Sequence, residues 1–156
     1  DRKFSIPKNE TKPIKQNHDV LEGKNKKEFL KGAELAYETI LTSFANGDTK
    51  KFKSLLTSAM NSNFLSAIDE RNKEKIKSEF TFIGIKESSV EKYEKIKDDL
   101  SATVKFVAEV ISVKKKEEKI IEGNPDKIKF VTDIWKFTRN INNKNHNWYL
   151  AEIISK

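Results

Sequence analysis

The chain has 156 residues, a length that fits one domain, and its 31 Lys and Arg outnumber 24 Asp and Glu to give a formal net charge of +7. It has no cysteine, which excludes disulfides, thiol nucleophiles and thiolate metal sites. No stretch approaches the roughly 20 apolar residues of a membrane-spanning helix, and no signal peptide is visible. Apolar content is 36%, low but sufficient, because ten Phe and two Trp supply large surfaces to bury. The basic excess points to anionic partners: nucleic acid, anionic lipid or acidic protein. It comes from Lys far more than Arg. Lysine is a point charge rather than a fork, which disfavours sequence-specific reading of nucleic acid bases. Abundant Lys, Asn and Ile also follow from genome composition alone. The sequence opens on Asp1, so we expect a fragment or processed form whose upstream anchor or targeting segment has been removed.

Residues 1–25 read as a flexible basic arm, with Pro7 and Pro13, sparse apolar residues, and Lys3, Lys8, Lys12 and Lys15 spread along it. The domain proper is expected over 26–156. Its leading segment, about Lys26 to Asn46, is the longest with helical periodicity. Phe29, Ala33, Ala36, Tyr37, Ile40 and Phe44 share one face, Leu30 and Leu41 widen it, and Asn46-Gly47 stops it. Asp48 is the expected cap of a short helix over Thr49 to Leu56. Ser58 is the expected cap of a third, from about Ala59 to Lys77, with Met60, Phe64, Leu65 and Ile68 as its apolar stripe.

The period changes at Phe80. Phe80, Phe82 and Gly84 alternate with Thr81, Ile83 and Ile85, which predicts a strand buried on both faces. Ser88-Ser89 predicts a turn, then a charged edge strand over Val90 to Ile96 and a turn at Asp98-Asp99. Leu100 to Val113 is the clearest strand. Leu100, Ala102, Val104, Phe106, Ala108 and Val110 point one way, and a bulge is expected near Val110-Ile111. Lys114 to Lys127 is read as a charged hairpin end turning at Gly123-Asn124-Pro125. Ile128 to Ile141 returns as a long strand, Asn142 to Asn147 turns, and Trp148 to Ile154 closes the sheet. Helices first and meandering strands afterwards give an α+β layer pattern, with the leading helix packed on a strongly curved antiparallel sheet.

Catalytic signatures are absent: no HExxH, GxSxG, phosphate loop or dinucleotide fingerprint occurs. His18 and His146 are the only histidines, one in the arm and one in an Asn-rich turn. Asp133 lies on a strand among apolar residues. It reads as a hydrogen-bonded structural carboxylate or one that faces water, with a catalytic base as the remaining option. No catalytic residue, metal ligand or cofactor is assigned. A curved sheet under a helix leaves a concavity. Tyr37, Ile40, Phe106, Trp135, Phe137 and Trp148 are the candidate lining, with core packing the competing role for each. Lys114, Lys115, Lys116 and Lys119 form a basic hairpin tip, diluted by Glu117, Glu118 and Glu122. It is a candidate contact for anionic lipid or a partner protein.

Particular residues add a resemblance. Phe29-Leu30-Lys31-Gly32-Ala33, Ala45-Asn46-Gly47-Asp48 and Leu55-Leu56-Thr57 match in the helical half, with Phe64, Ala67, Ile68 and Arg71. Ile83-Gly84-Ile85, Val104-Phe106 and Glu109-Ile111-Ser112 match in the strands. The most specific piece runs from Glu122-Gly123-Asn124-Pro125-Asp126-Lys127 into Val131-Thr132-Asp133-Ile134-Trp135, Phe137 and Arg139; Asn147-Trp148-Leu150 follows. In these the chain, over about residues 26–154, resembles the Tim44-like family: the C-terminal domain of the peripheral subunit of the mitochondrial inner-membrane import motor and its bacterial relatives. The resemblance implies a cone-shaped α+β fold like that of nuclear transport factor two, with an apolar pocket and no catalysis. It also implies a membrane-associated scaffold or adaptor linked to protein translocation. Its partners would be anionic, cardiolipin-like lipid and translocation or chaperone proteins, on the bacterial inner membrane or the mitochondrial matrix side. Two other readings stay open: a small-molecule-binding or enzymatic cone-fold domain, and a ribosome-tethering relative in which Lys meets RNA phosphate.

Overall fold

A computed structural model describes residues 21–155. The expected arm lies outside them up to residue 20, and from Gly23 its remainder belongs to the first helix. Three helices, α1 (Gly23–Asn46), α2 (Thr49–Lys53) and α3 (Ser58–Lys73), precede five strands. These are β1 (Ile76–Ile96), β2 (Asp99–Lys116), β3 (Lys119–Gly123), β4 (Lys129–Asn140) and β5 (Tyr149–Ser155). The sheet is antiparallel throughout, in the order β1-β2-β4-β5, and β3 pairs with β2 beyond the end of β4. It curls around the helices without closing, which is the α+β architecture the layer pattern predicts.

Helix α1 follows its periodicity. Phe29, Ala33, Tyr37 and Ile40 are buried on one face. They meet Ala102, Val104, Phe106 and Ala108 of β2 and Trp135 and Phe137 of β4 in a single core. Tyr37 stacks on Phe106 with ring centres 4.2 Å apart and meets Trp135 edge-on at 4.7 Å. Gly47, at φ 71°, ends the helix in the left-handed conformation. Its N–H donates to the Phe44 carbonyl, and the next N–H, of Asp48, donates to that of Ser43 at 2.8 Å.

The later helices are shorter than the sequence predicts. Asp48 precedes α2 but accepts no capping bond. Leu55 and Leu56 leave the helix because β5 claims their backbone. The Leu150 N–H donates to the Leu55 carbonyl at 2.8 Å, and the Thr57 N–H donates to the Leu150 carbonyl at 3.0 Å. Thr57, rather than Ser58, caps α3, its hydroxyl accepting from the Met60 N–H. Helix α3 stops at Lys73 rather than Lys77, and Lys75, at φ 59°, turns the chain into β1.

Strand β1 corrects two expectations. It is one 21-residue strand with no turn at Ser88-Ser89. Register shifts at Phe82/Gly84, Ile85/Glu87 and Val90/Lys92 bend it instead, as bulges do, and the Ser88 hydroxyl donates to the Glu34 carboxylate on α1. It also alternates in burial, with Phe82 packed against the core and Ile83 45% exposed, so only one face is covered. In β2 the alternation holds from Leu100 to Val110 and then changes phase, with Val113 the next buried residue. That change sits near Val110-Ile111 as expected. The bulge itself is in the neighbouring strand, where Ile83 is the extra residue between Phe82, opposite Val110, and Gly84, opposite Glu109. The hairpin turns at Glu117-Glu118, with φ 54° and 67°, and not at Gly123-Asn124-Pro125. The latter segment makes a second bend, in which the Asp126 N–H donates to the Asn124 side chain at 2.8 Å.

Candidate functional site

A cleft of about 470 Å³ lies between the first half of α1, the end of α2, the end of β4 and the 141–148 connection. Its apolar wall includes Phe29, Ala33, Leu55, Phe137 and Trp148, and its polar groups include Glu28, Arg139 and His146. Phe29 holds the wall together, edge-on to Trp148 at 4.8 Å and to Phe137 at 6.2 Å. The helix side is recessed because Gly32, Ala33 and Ala36 are small. A Cβ on Gly32 would meet nothing within 4 Å. A glycine inside a helix destabilises it by roughly 0.5–1 kcal/mol relative to alanine, so Gly32 leaves room in the cleft where alanine would favour the helix. Arg139 is 2% exposed and supplies a desolvated guanidinium beside that apolar wall. The wall suits an apolar group.

The six lining candidates divide. Phe137 and Trp148 line the cleft. Tyr37, Ile40, Phe106 and Trp135 lie one layer deeper, at 0–2% exposure, in the packed core. Their large side chains fill the concavity that sheet curvature alone would leave open. Arg139, Phe29 and Gly32 were not among the candidates. Arg139 had a legible signal: it continues the row Asp133, Trp135, Phe137 at period two, so its side chain points with the buried face.

Asp133 is buried rather than water-facing. The Tyr37 hydroxyl donates a hydrogen bond to Oδ2, joining α1 to β4. Burial first, then the bond to Asp133 and its charge, push the Tyr37 phenol well above its ordinary pKa. The phenol therefore stays protonated at neutral pH. Tyr37 has no exposed surface and does not line the cleft, and the pair joins helix to sheet.

The candidate lysines lie at the far end of β2, on either side of the Glu117-Glu118 turn. Lys115 Nζ is 3.3 Å from Glu79 and Lys114 Nζ is 4.0 Å from Glu122, exposed pairs of small energetic worth. Register sets Lys116 directly opposite Lys119, placing like charges side by side, an arrangement an anion would relieve. Among the described residues no group of three or more His, Cys, Asp or Glu could hold a metal ion. No helix among them is long and apolar enough to cross a membrane.

The model of one protein family, the Tim44-like domain, matches residues 13–155. Solved structures also match. One is the crystal structure of the intermembrane space region of the chloroplast protein ARC6, at TM-score 0.52 and 12% identity, covering 81% of this chain and 96% of that one. At that identity the likeness concerns the fold alone. The search of curated proteins found no match.

Proposed function

Because the chain belongs to the Tim44-like domain family, we propose that it is a non-enzymatic scaffold or adaptor domain of protein translocation, bound peripherally to an inner membrane. The family match over nearly the whole chain carries this reading. In it the two surfaces have separate tasks. The hairpin lysines Lys114, Lys115, Lys116 and Lys119 contact anionic, cardiolipin-like lipid, and the Lys116–Lys119 juxtaposition supports an anion there. The cleft takes an apolar segment of a translocation or chaperone protein, held by Phe29, Phe137 and Trp148 with Arg139 at one end. A second reading, a small-molecule binder, draws support from the cleft's volume, which falls within the usual range for ligand sites.

Flotation with phosphatidylcholine vesicles, with and without cardiolipin, at two salt concentrations tests the lipid contact. Attraction of about 1 kcal/mol per lysine predicts binding only to the anionic vesicles, weakened at high salt. No binding to either vesicle would sink the lipid contact. The cleft is tested with Gly32→Leu, which fills it from an open position on α1. The variant should lose co-purifying translocation proteins while its melting temperature holds or rises. An unchanged set of partners would remove the cleft from the reading, and a bound metabolite in the parent would favour the second.

A further inference from the structure

Among the described residues, large apolar side chains are exposed at nine positions, and four of them, Ile120, Ile121, Ile128 and Phe130, fall within one eleven-residue stretch. Phe130 is 63% exposed, the most of the four. Register adds a fifth: Gly84 and Phe130 flank Glu109 from either side of β2, and the bulge residue Ile83 adjoins Gly84. Glu109 alternates with the inward row of Ala108 and Val110, so Phe130 stands on the face of the sheet away from the helices. Val113, out of phase with the inward row, is only 2% exposed, so side chains already gather on that side. Further along the same face the character changes. There Lys105 pairs with Glu87 and Lys136 with Glu152, among Thr103 and Thr138. These apolar side chains therefore fall at the hairpin end, strung along one edge of β2 between the positions opposite Lys115 and Glu109, in a stretch that carries Lys114, Lys115, Lys116, Lys119, Lys127 and Lys129 against Glu117, Glu118, Glu122 and Asp126.

We propose that Ile120, Ile121, Ile128 and Phe130, with Ile83 beside them, form a wedge that enters the headgroup layer of an anionic bilayer while the flanking lysines meet its phosphates. This deepens the lipid reading above and rests on it. An apolar strip rimmed by Lys is the arrangement an anionic interface rewards twice, by burying area and by neutralising charge. A second copy of the chain is a poorer occupant. A two-fold contact through this face would set the lysine cluster against itself.

The absence of cysteine makes the test clean. Ile121→Cys, labelled with the fluorophore NBD in the whole chain, should brighten and shift to the blue on vesicles containing cardiolipin. The same label at Leu35→Cys, exposed on α1, should not respond. Phe130→Ser should weaken partition into those vesicles by about tenfold, as expected for losing one large apolar side chain from the interface. Failure of the parent to float with anionic vesicles would overturn the lipid reading and the wedge together. Flotation with an unchanged label at position 121 would overturn the wedge alone and leave a purely electrostatic contact. A doubled mass in lipid-free solution that Phe130→Asp restores to that of one chain would assign the patch to self-association instead, and would also overturn the wedge.

Discussion

The Tyr37–Asp133 bond makes the sharpest prediction about stability. Tyr37→Phe removes one oxygen and leaves the ring on Phe106 at 4.2 Å and against Trp135 at 4.7 Å. Packing is preserved, so the change isolates the hydroxyl. Asp133 is 8% exposed and would lose a donor that water cannot readily replace. Hydrogen bonds to charged groups contribute about 1.5–3 kcal/mol. For a chain of this size ~2–4 °C accompanies each kcal/mol, so the melting temperature should fall by about 3–12 °C. Alkaline pH supplies an independent signature. The folded protein raises the Tyr37 pKa above its ordinary 10.0, so it holds that proton more tightly than the unfolded chain. The resulting stability is fully present below that value and is lost as pH rises above it. Tyr37→Phe should therefore have a shallower alkaline limb than the parent. Circular dichroism melts at neutral pH, and urea titrations across the alkaline range, measure both effects. A melting temperature within about 1 °C of the parent, with an unchanged alkaline limb, would refute the idea that this bond fastens α1 to β4.

Other substitutions test other parts of the fold. Gly123 sits at φ +90°, and a Cβ there would lie 2.0 Å from the Ser112 carbonyl oxygen. Gly123→Ala should thus cost more than about 1 kcal/mol and speed amide exchange across 119–130 ahead of the core. Arg71 donates to the Phe44 carbonyl at 3.0 Å and lies 5.2 Å from the centre of that ring, tying the end of α3 to the end of α1. Arg71→Ala should cost about 1–3 kcal/mol in urea unfolding. Gly32→Leu should stabilise α1 by up to about 1 kcal/mol, read as an equal or higher melting temperature, since a Cβ there meets nothing within 4 Å.

Where local pattern and tertiary structure agree, the fold was legible. The apolar spacing of α1 and its Asn46-Gly47 stop located the helix, and the alternation from Leu100 to Val110 located β2 with its inward face. Elements shaped by distant partners were not. Ser88-Ser89 has turn chemistry, yet a carboxylate from α1 and pairing with β2 keep it in a strand. Glu117-Glu118 adopts two successive left-handed conformations without the Gly or Asn that usually marks them, so the true hairpin turn carried no signature. For the cleft, Phe137 and Trp148 were legible as large residues on a curved sheet. Tyr37 and Trp135 were placed in the lining because sequence shows which way a side chain points and not how much of the concavity its neighbours fill. Arg139 was readable from parity alone. The Tyr37–Asp133 bond spans 96 positions, and no local pattern announces it.

Strand β2 has a further consequence as a measure of distance. Phe137, on the cleft wall, pairs with Ala102, and Lys116, at the basic tip, ends the same strand. At ~3.3 Å per residue the interval is about 46 Å along the chain, shortened by curvature. An unbroken strand resists compression and bending in a way that a jointed linker does not. If the tip rests on a lipid surface, β2 acts as a strut: it sets how far above the headgroups the cleft stands, and therefore which depth of a neighbouring complex it can reach. Residues inserted in the hairpin would lengthen the strut without touching either end's chemistry.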